Sequence, residues 1–94
     1  MDVLKDTLKT QNITFDILDN NSILVSHIFD LDRLINIINN EYGRFNRVEI
    51  LKYDKYRYRI IVYEIGQKPF MYTFVRRLYS NILYIKREDF PTFL

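Results

Sequence analysis

The sequence predicts a single small α+β domain spanning residues 1–94, in which an antiparallel β-sheet of about five or six strands carries two helices on one face. Three observations predict it. The chain is 48% hydrophobic and 16% aromatic, which suffices for one core. Apolar residues recur with a helical period at residues 2–11 and 31–42 and with a period of two after residue 44. Two glycines and two prolines indicate short turns rather than linkers.

Two helices are predicted in the first half. A short one covers residues 2–11, where Val3, Leu4 and Leu8 have helical spacing. The clearer one follows Asp30, a plausible N-cap, and ends at Gly43, where a glycine can adopt the left-handed conformation that terminates helices. Its apolar face is formed by Leu31, Leu34, Ile35, Ile38 and Tyr42.

Strands are predicted on both sides of the longer helix. Residues 13–17 alternate in polarity and residues 23–25 are apolar, which indicates a hairpin closed around Asn20 and Asn21. Residues 45–53 and 56–65 read as strands joined through Asp54 and Lys55. A three-residue turn would set Val48 and Ile50 against Val62 and Ile60.

Residues 70–82 fit two structures. Their apolar positions fall on one helical face, which would make a third helix, but FMYTFV is rich in strand-favouring residues and no capping residue precedes it. We favour a strand here, followed by another at residues 82–87. Phe90, Phe93 and Leu94 predict a tail that docks on the domain.

Composition narrows the classes of function. The chain has no cysteine, which removes thiolate nucleophiles and cysteine zinc sites. Its charged start does not fit a signal peptide and no run reaches membrane-spanning length, so we expect a soluble, intracellular, cytoplasmic protein without membrane partners. Abundant Ile, Asn, Lys and Tyr are typical of AT-rich genes, such as those of viruses and mobile elements.

The net charge of +2 conceals a strong division along the chain. Residues 1–43 carry three basic and seven acidic side chains, a net charge of −4. Residues 44–87 carry eleven basic and three acidic side chains, a net charge of +8, together with seven of the eight tyrosines. Such asymmetry favours a polyanionic or acidic partner.

No catalytic residue, cofactor or metal site is predicted. His27 lies near Asp30 and Asp32, and this H-x-x-D-x-D spacing could hold a hard divalent cation. Helix capping by Asp30 and interaction of Asp32 with the helix dipole account for the carboxylates more simply. Gly43 and Gly66 are too far apart for a phosphate-binding loop.

The basic and tyrosine-rich segment carries the main candidate site. Arg and Lys neutralise phosphates and Tyr rings stack on bases, so a strand that combines them is typical of a single-stranded nucleic-acid platform. Tyr56 and Tyr58 are expected to face the core. The solvated face of an ordinary strand remains an alternative, because edge strands carry Lys and Arg to prevent aggregation. The candidate nucleic-acid-binding residues are Lys52, Tyr53, Lys55, Arg57, Arg59, Tyr63, Arg76 and Arg77.

One resemblance bears on an enzymatic function. YRYRIIVYEI and FVRRLY are similar in texture to the β-sheet of small ribonuclease toxins that act without histidine through Arg, Lys and Tyr. The resemblance implies RNA cleavage that depends on Arg59 or Arg77. The predicted hairpin ahead of the long helix departs from that fold.

The leading hypothesis is a small non-enzymatic protein that engages nucleic acid or a nucleoprotein through its basic C-terminal half. The alternative is a protein–protein interaction module, an inhibitor or adaptor, which uses a sheet edge and could form a homodimer. A histidine-independent ribonuclease is the third hypothesis.

Replacing Asp30 by Ala is expected to lower the free energy of unfolding by about 1 kcal/mol, since a lost N-cap leaves helix amides unpaired. Chemical denaturation measures this loss. Metal-dependent melting of the wild type that disappears in Asp30→Ala would instead support the metal site.

Overall fold

The computed structural model describes residues 2–27 and 30–90. Its elements follow the predicted order of helix, hairpin, helix and strands. They are α1 (Asp2–Thr10), β1 (Phe15–Asp19), β2 (Ser22–Val25), α2 (Leu31–Gly43), β3 (Arg47–Asp54), β4 (Arg57–Tyr63), β5 (Phe70–Arg76) and β6 (Leu83–Asp89).

All six strands form one antiparallel sheet in the order β1-β2-β6-β5-β4-β3. Strands β3 to β6 are a meander, in which each strand pairs with the next. The β1–β2 hairpin joins this meander where β2 pairs with β6. Helix α2 connects β2 to β3, so it passes from the interior of the sheet to its far edge, and β1 and β3 are the two edge strands.

Both helices pack on the same face of the sheet. Leu4 and Leu8 of α1 are fully buried, and Leu34, Ile35 and Ile38 of α2 are buried beside them. The sheet contributes alternate residues of each strand to this core because successive strand side chains point to opposite faces. The predicted α+β architecture, with helices on one sheet face, is confirmed.

The two ends of α2 differ in how well they were predicted. The Asp30 carboxylate accepts a hydrogen bond from the Arg33 amide at 3.0 Å, which confirms the predicted N-cap. The helix ends at Gly43 as predicted, but Gly43 does not adopt the left-handed conformation, and the chain passes into a right-handed Arg44. The Tyr42 carbonyl instead accepts from both the amide and the side chain of Asn46, each at 3.1 Å.

The β3–β4 register is confirmed, with Val48 opposite Val62 and Ile50 opposite Ile60. The turn lies one residue later than predicted, at residues 55 and 56. The Asp54 carboxylate fixes it by accepting from the Tyr56 amide at 2.8 Å. Tyr56 is therefore a half-buried turn residue, contrary to the expectation that it faces the core.

The ambiguous segment 70–82 begins as a strand. Residues 70–76 pair with β4 on one side and β6 on the other, and this double pairing prevails over the helical pattern. Residues 77–82 form the connection, where Tyr79 has a φ of +58°. Phe90 donates its amide to the Pro69 carbonyl at 3.0 Å. The predicted docking of Phe93 and Leu94 lies outside the described residues.

An aromatic contact ties the end of α2 to the centre of the sheet. The hydroxyl oxygens of Tyr42 and Tyr72 are 2.5 Å apart in the core. The Tyr72 ring lies edge-on to Phe70, with ring centroids 5.5 Å apart. Burial raises the pKa of both tyrosines, so both hydroxyls stay protonated and form a neutral hydrogen bond.

Replacing Tyr72 by Phe is expected to destabilise the fold by about 1–3 kcal/mol, because the Tyr42 hydroxyl loses its Tyr72 partner. The double variant Tyr42→Phe/Tyr72→Phe should lose less than the sum of the single variants. Urea unfolding measures all three free energies. Tyr79→Phe, at a side chain that is 93% exposed, is the matched control and should be neutral. Additive losses would contradict the hydroxyl contact.

Candidate nucleic-acid interface

The sheet face opposite the helices, called the open face here, carries the alternate residues of each strand. Its central part lies on β3 to β6. The members are Arg47, Glu49, Leu51 and Tyr53 on β3; Arg57, Arg59, Ile61 and Tyr63 on β4; Met71, Thr73 and Val75 on β5; and Tyr84, Lys86 and Glu88 on β6.

Arg59 and Tyr53 form an aromatic–cationic pair on this face. The Arg59 guanidinium carbon lies 5.3 Å from the Tyr53 ring centroid, and one of its N–H groups donates to the Tyr53 hydroxyl at 3.3 Å. Within residues 2–27 and 30–90, no carboxylate forms a salt bridge with Arg59. The pair therefore offers an uncompensated positive charge beside a ring that is 52% exposed.

Thr73 lies directly opposite Arg59 on one side and Lys86 on the other. Its hydroxyl oxygen is buried and has no hydrogen-bond partner in the described part of the chain. We call these three residues the central row. The row continues to Leu51 on β3 and Ser22 on β2 without a carboxylate, and at the edge strand β1 Asp19 lies opposite Ser22.

A small cavity opens beside the central row. Its volume is about 130 Å³, and both aromatic and cationic side chains surround it. The residues that line it are Tyr53, Arg57, Tyr58, Arg59, Thr73 and Val75. The buried hydroxyl and the Arg59–Tyr53 pair thus border the same space.

Other cations of the open face have acidic partners. Arg57 donates twice to the Asp54 carboxylate, at 2.9 and 3.0 Å. The amide of Tyr56 and the Arg57 side chain together lower the pKa of Asp54, which keeps that carboxyl ionised. Lys86 approaches Glu88 at 3.7 Å, a longer and exposed pair. Exposed pairs of this kind contribute little to stability, so a competing anion can displace them.

Tyr63 belongs to a polar cluster at the opposite end of β4. The guanidinium carbon of Arg47 lies 4.7 Å from the Tyr63 ring centroid. The same guanidinium donates to the Glu49 carboxylate at 2.6 Å. Tyr63 donates to the same carboxylate at 3.3 Å. Burial and the neighbouring Glu49 raise the pKa of Tyr63, and the hydrogen bond from Arg47 to Glu49 raises the pKa of Arg47. Within this cluster the positive charge of Arg47 and the negative charge of Glu49 compensate each other.

The structure separates the eight predicted binding residues into two groups. Tyr53, Arg57, Arg59 and Tyr63 lie on the open face. The others lie elsewhere: Lys52 and Arg76 are on the helix side of their strands, Lys55 is in the β3–β4 turn and Arg77 is in the β5–β6 connection.

Lys52 and Arg76 make contacts that account for their positions. The Lys52 ammonium nitrogen lies 3.6 Å from an Asp32 carboxylate oxygen and 5.4 Å from the Tyr58 ring centroid. Arg76 donates to the Ser80 carbonyl at 3.2 Å and to the Asn81 side chain at 2.8 Å, which holds the β5–β6 connection in shape. Both therefore make their contacts on the helix side and do not share the open face with Arg57 and Arg59.

Sequence reasoning missed three residues of the open face. Leu83 and Ile85 are fully buried on the helix side, so the period of two places Tyr84 and Lys86 on the open face. That alternation was visible in the sequence. Tyr84 is 41% exposed. The role of Thr73 had no sequence signal, because it depends on its neighbours in two other strands.

A larger cavity, of about 460 Å³, lies at the start of α2. Asp30 and Asp32 line it together with Lys55, Tyr56 and Arg76. Asp30 caps α2, and Asp32 accepts from the Tyr58 hydroxyl and lies near Lys52, so these carboxylates already have partners. The described residues contain no group of three His, Asp or Glu side chains placed to hold a metal ion.

Comparison of the chain with protein-family models, curated proteins and solved structures finds no match. Among the described residues, no helix has both the length and the apolar character needed to cross a bilayer.

Proposed function

We propose that this protein binds single-stranded nucleic acid on the open face of its sheet and does not catalyse a reaction. The observation that carries the proposal is the Arg59–Tyr53 pair, an exposed ring and a cation without a salt-bridge partner in the described chain, on a face that no helix covers. Stacking on such a ring requires an unpaired base.

The arrangement of the other side chains supports the same ligand. Tyr84 lies three strands from Tyr53, at roughly 14 Å by the usual strand spacing, so each ring can hold a different base. Arg59 on β4 and Lys86 on β6 lie in the neighbouring central row. Aromatic rings beside cations form the usual platform for single strands, because the rings hold bases and the cations hold phosphates.

The charge of the open face agrees with this assignment. Glu49 and Glu88 lie in one row, opposite Ile61 and Met71, and Asp16 lies on the edge strand β1. From β3 to β2 the central row is free of acidic side chains, and it meets Asp19 at the edge strand β1. A bound strand can therefore follow the central row from β3 to β2 without meeting a carboxylate in that row. A cytoplasmic protein of viral or mobile-element type fits this proposal.

Replacing Arg59 by Gln is expected to weaken binding to a single-stranded RNA or DNA oligonucleotide and to make it less salt-dependent. Loss of one phosphate contact should reduce the slope of log K against log salt by about 0.7. Replacing Tyr53 by Leu should weaken binding by about 1–3 kcal/mol with an unchanged slope, since it removes only stacking. Fluorescence anisotropy at several salt concentrations measures both.

The matched control for charge is Lys9→Gln on α1, which removes one cation from the helix side of the molecule. It should leave both affinity and slope unchanged. Binding that is absent, or insensitive to salt, in the wild type would contradict the proposal. Electrophoresis of the RNA after incubation tests the ribonuclease alternative, because cleavage that Arg59→Gln or Arg77→Gln abolishes would favour an enzyme.

A protein–protein interaction module is the second candidate, and the edge strand β1 favours it. Ile17 is 62% exposed and Leu18 is 51% exposed on this strand, whose outer backbone edge pairs with no other strand of the described chain. Exposed apolar edge strands tend to pair with another chain. A twofold axis at Ile17 would set two β1 strands antiparallel, with the Ile17 side chains opposite each other.

Replacing Ile17 by Lys is expected to abolish this pairing, because two like charges would then lie opposite each other. Light scattering during size-exclusion chromatography should show a dimer for the wild type and a monomer for Ile17→Lys. A wild-type monomer at all protein concentrations would contradict the homodimer.

A further inference from the structure

The unpaired hydroxyl of Thr73 is the least satisfied group of the open face. Its oxygen is buried and finds no partner in the described chain. A buried polar group without a hydrogen bond destabilises a protein, and the great majority of such groups are paired. Thr73 lines the small cavity, so rotation of its side chain about χ1 would present the hydroxyl to a ligand atom there.

The neighbours of Thr73 determine which ligand atom that is. Arg59 and Lys86 lie directly opposite it in the two adjacent strands, so their backbones are about 10 Å apart by the usual strand spacing. Both side chains are long enough to extend over Thr73. Two cations around one hydroxyl favour a negatively charged oxygen.

Arg59 retains donors for such an anion. It uses one N–H group on the Tyr53 hydroxyl, and a guanidinium has five. The Lys86 ammonium has only the exposed contact at 3.7 Å to Glu88. Neither cation needs to break a buried ion pair in order to reach the anion.

We propose that the central row, Arg59–Thr73–Lys86, holds one phosphate of the bound strand. This inference rests on the proposed function and assigns its phosphate subsite. The Thr73 hydroxyl donates to one phosphate oxygen, and Arg59 and Lys86 donate from either side. The base next to this phosphate stacks on Tyr53, at the cavity that Tyr53 and Thr73 share.

A nucleic-acid phosphate fits this row better than a phosphorylated peptide does. Tyr53 and Tyr84 lie on the same side of the row, near its β3 and β6 ends, so the bases that flank a phosphate held in the row can stack on rings along that side.

The decisive variant is Thr73→Val, which removes the hydroxyl and keeps a β-branched shape. It should weaken binding of a single-stranded oligonucleotide about tenfold, because hydrogen bonds to charged groups are strong. The slope of log K against log salt should not change, since no cation is lost. The melting temperature of the free protein should rise, because the variant no longer buries an unpaired hydroxyl. Thr73→Ser keeps the donor and should bind like the wild type.

A second measurement changes the oligonucleotide instead of the protein. Oligonucleotides with one uncharged methylphosphonate linkage, moved along the strand, should show one position at which binding weakens most. At that position the loss should combine with Thr73→Val less than additively, since both changes affect the same contact.

The outcomes separate the two proposals. If the wild type binds but Thr73→Val binds equally well, the phosphate subsite is wrong and the proposed function stands. A phosphoserine peptide that binds as tightly as the oligonucleotide would also overturn the assignment. If the wild type binds no oligonucleotide, the proposed function fails. In that case, inorganic phosphate added to the protein should still shift the backbone amide NMR resonances of the central row if the row is an anion site. Unchanged resonances would overturn both the phosphate subsite and the proposed function.

Discussion

Attachment of α2 to the sheet at both ends is the constraint on which the other features depend. Near its start, Asp32 accepts a hydrogen bond from Tyr58 on β4, and near its end Tyr42 meets Tyr72 on β5. Apolar residues between these points are buried against the strands. Because α1 packs beside α2, both helices cover one face, and no helix of the described residues lies on the opposite face.

A sheet face without a covering layer has to remain compatible with water. This chain achieves it by placing charged residues, often in pairs, among the apolar residues of the open face. Arg47 with Glu49 and Arg57 with Asp54 are such pairs, and they compensate each other's charge. The central row departs from this rule in part. Arg59 has no salt bridge in the described chain, Lys86 has only the 3.7 Å contact with Glu88, and both flank an unpaired hydroxyl. The proposed binding of a phosphate would explain this departure.

Local patterns in the sequence predicted the elements and the β3–β4 register, because hydrophobic periodicity and turn chemistry act over a few residues. They predicted Asp30 as a cap for the same reason. The adjacency of β2 and β6 could not be predicted, because residues far apart in the chain form it. The central row depends on three strands at once, so the candidate site was found only for its β3 and β4 members. Lys52 and Arg76 were misplaced because their strand parity was not followed.

The pairing of β2 with β6 has a consequence for how the chain folds. It closes a loop that contains α2 and three strands, and long loops are slow to close because their closure entropy precedes the gain of contacts. The meander of β3 to β6 contains only neighbouring pairs and can form earlier. We therefore expect the β1–β2 hairpin to dock last, which leaves the backbone edge of β6 transiently exposed during synthesis. Until the hairpin arrives, this edge is the point at which two folding chains could exchange strands.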